Sequence, residues 1–207
     1  IGFESFTIDG NDSAGAMISG IYVSFVTGCW VKDVEVLGHA NYAFFFDDTV
    51  NCELRFSEAG TGTGGGTSQA GLIWQSSCYG LVEDNIIPQS YPVIEVNSGS
   101  TSNIFGYNFC GTGVLNTNHN PHNSFNLYEG NSYWYAQSDG YFGGSSEETH
   151  LRNFMRSGIV LANKRFTRNP NIVGNIVGTV GTTYTTDGSE NWGKPNLGNN
   201  DSTGTWS

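Results

Sequence analysis

Five asparagines recur in matching contexts: Asn85 in LVEDNIIP, Asn108 in IFGYNFCG, Asn131 in LYEGNSYW, Asn153 in HLRNFMR and Asn175 in IVGNIVG, at spacings of 23, 23, 22 and 22. A fixed period of this size signals stacked units, because a unit so short cannot bury its own apolar face and must lie on its copies. Three residues before each asparagine stand Val82, Phe105, Tyr128, His150 and Ile172, and two residues after stand Ile87, Cys110, Tyr133, Met155 and Val177. Both columns read as core. Carried toward the N-terminus, the register gives Cys52, Arg55 and Ser57, then Val31, Val34 and Val36, then Phe3, Phe6 and Ile8, with no asparagine in the middle column. Residues five apart on a plain strand point to opposite faces, so both columns can face inward only if the chain bends between them. Asparagine tolerates the left-handed region better than most residues, so the expectation is that each one makes the bend and bonds its counterpart in the next coil.

Upstream of each corner lies a second strand-like run: GIYVSF at 20–25, YAFFFD at 42–47, GLIWQS at 71–76, YPVIEV at 91–96 and GIVLAN at 158–163. These are rich in β-branched and aromatic residues and are bounded by turn formers. No segment shows a long helical period. The insertion GTGTGGGTSQAG at 60–71 lengthens one coil, and the repeat stops near residue 181. The expected organisation is a β-helix over residues 1–180, lacking one or both end caps, and a polar C-terminal extension over 181–207.

The 207 residues include 29 glycines, only 5 prolines and 13% charged side chains, a turn-rich β profile with neutral polar surfaces. A formal charge of -11, from 19 acids against 8 bases, argues against nucleic acid and against anionic membrane surfaces. Five of the eight bases, Arg152, Arg156, Lys164, Arg165 and Arg168, nonetheless fall together. They form either a polyanion site or scattered turn arginines paired with acids. No apolar run is long enough to cross a bilayer, so membrane insertion is not expected. Cys29, Cys52, Cys78 and Cys110 contain no CxxC pair, occupy four different columns of the register and read as buried free thiols.

With its asparagine corners, its 22–23-residue coils and its Ser/Thr/Asn-rich turns, the chain resembles right-handed parallel β-helix proteins of the pectate-lyase-like superfamily. The stretch HNPHNSFNLYEGN, continuing through SDGYFGGSSEETHLRN, resembles segments of uncharacterised secreted bacterial proteins of that type. The resemblance implies an all-β solenoid with an asparagine ladder, outside the cell or on its surface. It does not choose among lyases, hydrolases, tailspikes and adhesins, because fold does not imply function.

Reactive groups are densest between residues 116 and 152. NTNHNPHN places His119 and His122 in a turn insertion, with Asp139, His150 and Arg152 one coil further on. Turns of adjacent coils can converge on one flank. There His119 or His122 would serve as base or metal ligand, Asp139 as acid or Ca²⁺ ligand, and Arg152 as the partner of a substrate carboxylate. Alternatively the histidines bond turn backbone, His150 fills the core and Arg152 pairs with an acid. Asp47 and Asp48 in FFFDDT resemble the adjacent acids of polygalacturonase-like enzymes, without that family's other motifs. IDGNDS at 7–12 and TDGSEN at 186–191 match no full calcium loop, so the metal is unknown and Ca²⁺ stays one option. In SYWYAQSDGYF, Tyr133 is core, which leaves Trp134 and Tyr135 to contact a sugar or to pack on the coil.

The reading as a whole is a polysaccharide-binding β-helix that uses loops 111–124 and 132–150, with elimination or hydrolysis of a uronate-containing glycan if it is an enzyme. The alternative is a non-enzymatic structural or adhesive module that makes end-to-end contact with further coils or other copies.

Overall fold

The computed structural model describes residues 1–10, 17–60, 70–139, 143–157, 161–163, 167–177 and 185–186. Among these the chain is an all-β parallel solenoid with no helix. A 14-stranded sheet and an 8-stranded sheet run along it, each rung paired in parallel with the coils on either side. The larger sheet has two legs. Trp30–Leu37 spans both, pairing with Glu53–Arg55 at its start and with Glu58–Ala59 at its end. In later coils the legs separate into short strands such as Ile104–Gly106 and Phe109–Cys110. A narrow ladder of single bridges, Thr27, Val50, Cys78, Thr101, Ser124, Ser146 and Arg168, links the first leg to the smaller sheet.

Both expected core columns lie inside. Val82, Phe105, Tyr128, His150 and Ile172 are 0% exposed, and Ile87, Cys110, Tyr133 and Met155 are buried with them. Phe105, Tyr128 and His150 stack on successive coils with ring centroids 5.2 and 4.9 Å apart. Trp74 meets Phe105 edge-on and stacks on Phe46 at 4.5 Å, which joins the two sheets through one aromatic core.

The asparagine ladder is present. The amide nitrogens of Asn85, Asn108, Asn131 and Asn153 each donate to the side-chain oxygen of the next asparagine at 2.9–3.0 Å, ending on Asn175. The bend, however, belongs to the residue before each asparagine. Asp84, Tyr107 and Arg152 have φ of 56°, 56° and 53°, and Gly130 and Gly174 take the same left-handed geometry. The asparagines themselves stay out of that region and spend their amides on backbone groups that a corner leaves unpaired.

Two further corners follow the same rule. At one, Asn51, Tyr79, Ser102, Phe125 and Glu147 have positive φ, and the inward residue that follows each is Cys52, Gly80, Asn103, Asn126 or Glu148. Asn103 Nδ2 donates to Asn126 Oδ1 at 2.9 Å, and Asn126 Nδ2 to Glu148 Oε1 at 3.2 Å. At the other, Asp48, Ser76, Gly99 and His122 precede Thr49, Ser77, Ser100 and Asn123, which form a ladder of hydroxyls closed by an amide.

The register expected for the coil at 52–57 is corrected. Leu54 pairs with Val82, Ala59 pairs with Val36, and Ser57 stands in the ladder, accepting from Val34 N–H and donating its own N–H to Asn85 Oδ1. Ser57 and Asn85 lie 28 residues apart, so a count carried across this lengthened coil slips by two. The four cysteines are free. Contrary to the expected separate columns, Cys29 and Cys52 share one, with Cys29 N–H directed at Cys52 Sγ. Burial pushes the Cys29 and Cys110 thiols up to about 12.

Thr185–Thr186 adds a rung beside Leu161–Asn163. The rest of the 181–207 extension lies outside the described residues, as do the center of the 60–71 insertion, Lys164, Arg165, Tyr141, Phe142 and residues 11–12 at the end of the first Asp-Gly segment.

Candidate functional site

The site forms on the smaller sheet, where Ile94–Asn97, Val114–Asn116 and Tyr135–Ser138 are successive rungs. Glu95 alternates with the buried Ile94 and Val96, so its side chain points outward, in register with Asn116, which in turn pairs with Gln137. Asn97 Nδ2 donates to Glu95 Oε1 at 2.8 Å.

Beyond Asn116 the chain leaves the strand. Asn118 N–H bonds Asn116 Oδ1, and Asn118 Nδ2 donates to Gly143 O at 2.8 Å, which ties this connection to the one in the next coil. The result is that His119 Nδ1 lies 2.7 Å from Asp139 Oδ2, and Asn116 Nδ2 donates to the same oxygen at 2.7 Å. The imidazole is 37% exposed and the Asp139 side chain 13%. The hydrogen bond to Asp139 is the main cause that raises the His119 pKa; burial opposes it, and the charge of Glu95 reinforces it. Burial likewise raises the Glu95 pKa, opposed by Asn97 and by the charge of His119. Glu95, His119 and Asp139 are therefore one electrostatic unit.

Of the residues singled out by sequence, His119 and Asp139 meet. His122 sits three residues on as a left-handed corner residue with φ 75°, its N–H bonded to Gly144 O at 3.0 Å and its side chain exposed. Arg152 is at a different corner, ion-paired with Glu129. His150 is core, its pKa lowered to about 3 by burial. Asp47 accepts from Tyr22 and Gln75 on the sheet face while Asp48 forms a corner, so the two acids do not act as a pair.

Trp134, 45% exposed, is the single residue between Ser132–Tyr133 and Tyr135–Ser138. Tyr135 is half-buried beside Tyr91, and burial with that contact pushes its pKa up to about 12. The strand thus begins at an aromatic cluster and leads into Asp139, the residue after its end, about 13 Å away at 3.3 Å per residue.

Sequence reasoning missed Glu95, Asn97, Asn116 and Tyr91. The signal for Glu95 was available: it is the one charge inside the apolar run YPVIEV. Among the described residues no three His, Cys, Asp or Glu side chains are grouped to hold a metal ion, and no helix is long and apolar enough to cross a membrane.

Fold and side chains together define a parallel β-solenoid carrying a His–Asp pair and an outward carboxylate on one sheet face. No protein-family model, curated protein or solved structure matches the chain.

Proposed function

We propose that this solenoid is an extracellular, pectate-lyase-like β-helix that binds a polysaccharide across the smaller sheet and hydrolyses a glycosidic bond there. The observation that carries the reading is the 2.7 Å contact between His119 and Asp139 within electrostatic reach of Glu95. The scheme uses an ionised Glu95 and a protonated His119 whose Nδ1–H points to Asp139, the hydrogen bond that favours the charged imidazole. His119 then gives its Nε2 proton to the glycosidic oxygen as the bond from that oxygen to the anomeric carbon breaks. Glu95 takes a proton from the water whose oxygen bonds to that carbon. Solvent returns both groups to their starting states. Trp134, Tyr135 and Tyr91 supply flat faces for the sugars at the far side of the sheet.

Arg152 has no part in this scheme. Its pairing with Glu129 leaves elimination at a uronate without the carboxylate partner assigned to it from the sequence.

The test is a polysaccharide panel assayed both for new reducing ends and for absorbance at 235 nm. Reducing ends without absorbance, lost in His119→Gln and Glu95→Gln with binding retained, are the expected result. Rising absorbance would replace hydrolysis by elimination, and activity that persists in both variants would remove this site from the reaction.

A second reading, end-to-end association, has its own observation. Phe3 and Phe6 continue the columns of Val31 and Val34, which are 0% and 1% exposed, yet are themselves 43% and 37% exposed. Sedimentation that depends on concentration and weakens in Phe3→Ser/Phe6→Ser supports it; a concentration-independent monomer refutes it.

A further inference from the structure

The connection that brings His119 to Asp139 also presents His122, three residues later, to a separate cleft of about 370 Å³ at the corner of the coil, lined by His122, Ser124, Gly144, Ser145, Ser146 and Arg168. None of these residues is acidic, in a chain with 19 acids and 8 bases. The local charge is therefore opposite in sign to that of the molecule. Glu147, next in sequence to Ser146, accepts from Asn169 at 2.7 Å and does not line the cleft.

The cation here differs from the other described ones. Lys32, Arg55 and Arg152 each pair with a glutamate, and Arg156 donates to the carbonyls of Cys110 and Gly111. Among the described residues Arg168 forms no ion pair. The bridge ladder holds Ser124, Ser146 and Arg168 in register on three successive coils, each about 4.8 Å from the next. Two serines and an arginine are thereby stacked along the solenoid axis at the edge of one cleft. Ser124 Oγ is 3.1 Å from Thr101 Oγ1, so the Ser146 hydroxyl is the donor beside the fork of guanidinium N–H groups, a pairing that matches a carboxylate or a sulfate group, and the cleft volume falls in the range of small-molecule sites.

We propose that this cleft binds the oxyanion of an acidic sugar, a sulfate ester or a uronate carboxylate, with Arg168 as its counter-charge and Ser146 as its hydroxyl partner. The proposal rests on the glycan reading for the scaffold of the ligand, and on the cleft alone for the anion. It names the substrate class as an acidic polysaccharide. It also gives the cluster of bases at 152–168 one member that faces a ligand in place of a protein carboxylate.

The test is calorimetric titration of the full chain, in buffered 150 mM salt, with three oligosaccharides of equal length: a sulfated galactan, a galacturonate and a neutral galactan. Arg168→Gln is expected to weaken one of the two acidic oligomers about 10- to 100-fold, as loss of a charge-assisted contact does, and to leave the neutral oligomer unchanged. The oligomer that responds identifies the anion. Arg168→Lys keeps the charge without the fork and should recover part of the loss, with far-UV circular dichroism showing both variants folded. Unchanged binding of both acidic oligomers in Arg168→Gln, or an equal loss for the neutral one, overturns the proposal, as does failure of the intact chain to bind either acidic oligomer. The two readings fail separately: binding that depends on Arg168 without cleavage keeps the cleft and removes the acid–base chemistry. Cleavage abolished by His119→Gln but indifferent to Arg168 does the reverse.

Discussion

Replacing Asn131 by alanine removes the middle of the ladder, and the structure sets the cost. Asn131 Oδ1 accepts from Asn108 N–H and Asn108 Nδ2, both at 2.9 Å, and Asn131 Nδ2 donates to Phe105 O at 2.8 Å and to Asn153 Oδ1 at 3.0 Å. Asn153 Oδ1 keeps the Asn131 backbone N–H, and Asn108 Nδ2 keeps Val82 O. The variant therefore leaves two buried groups without partners, the Asn108 N–H and one Asn108 amide hydrogen, and takes a side-chain donor from the Phe105 carbonyl, which keeps its place in the parallel ladder with Leu127–Glu129. Each orphaned group costs about 1–3 kcal/mol, and because they share one small void the sum is not additive; about 3–5 kcal/mol is expected. That is a large share of the 5–15 kcal/mol typical of a domain. Urea unfolding followed in parallel by far-UV circular dichroism and tryptophan fluorescence reads it directly, and hydrogen exchange shows whether coils on either side open separately, as a stack of near-neighbour units allows. Asn131→Ser is the informative control, because Ser57 holds this column with a hydroxyl and still accepts a backbone N–H at 3.2 Å. It should cost less than alanine. A loss below about 1 kcal/mol in Asn131→Ala, the size of an ordinary surface change, would refute the view that the ladder holds the corners.

Three other outcomes follow from the same geometry. His150→Phe keeps the stack on Tyr128 and removes an imidazole held at a pKa of about 3 against an ordinary 6.5. Stability present above pH 6.5 is lost in the natural chain as pH falls toward 3, by at most about 1.4 kcal/mol per pH unit, so urea midpoints of the variant should fall less between pH 7 and 4. A thiol reagent at pH 8 should leave Cys29 and Cys110 unmodified in the native chain and label all four cysteines after unfolding, since burial holds those two thiols up at about 12; fast native labelling of Cys110 would contradict the fold. If His119 is the acid and Glu95 the base, kcat/KM is bell-shaped, its limbs displaced upward from 4.5 and 6.5; Asp139→Asn removes the main cause of the His119 shift, so the alkaline limb moves to lower pH.

The core columns were legible in sequence because burial writes itself locally, as an apolar residue on each side of every corner. The left-handed residue was not. Asp84, Tyr107, Gly130 and Arg152 share a backbone conformation and no side-chain chemistry, so the corner could be located only by the asparagine it precedes. The same blindness misplaced Arg152: the sequence offers a cation near two histidines, and the backbone turns it to another corner. The contact of His119 with Asp139 was within reach, since turns of adjacent coils must lie side by side. Its third member, Glu95, belongs to a strand, where an outward charge between inward aliphatics has the same alternation as any exposed position.

The constant spacing of the asparagines hides where the coil has changed. Between Ile87 and Ile94 the connection from the second leg to the smaller sheet is residues 88–93; in the next coil it is 111–113, and in the one after it is Trp134 alone. On the other side of the same sheet the opposite happens. The chain passes from Asn97 to the ladder residue Ser100 almost at once, from Asn116 to Asn123 by residues 117–122, and from Ser138 to Ser145 by residues 139–144. Residues lost at one edge are gained at the other, and the period stays at 22–23. A coil of fixed length thus shortens the edge that carries Trp134 and Tyr135 while it lengthens the edge that carries His119, His122 and Asp139. Insertion at one corner with compensation at the next moves side chains into a flank without disturbing the ladders beneath it. For a solenoid whose coils must stay in register to pair, this is a route to a local site that costs no rung of the stack.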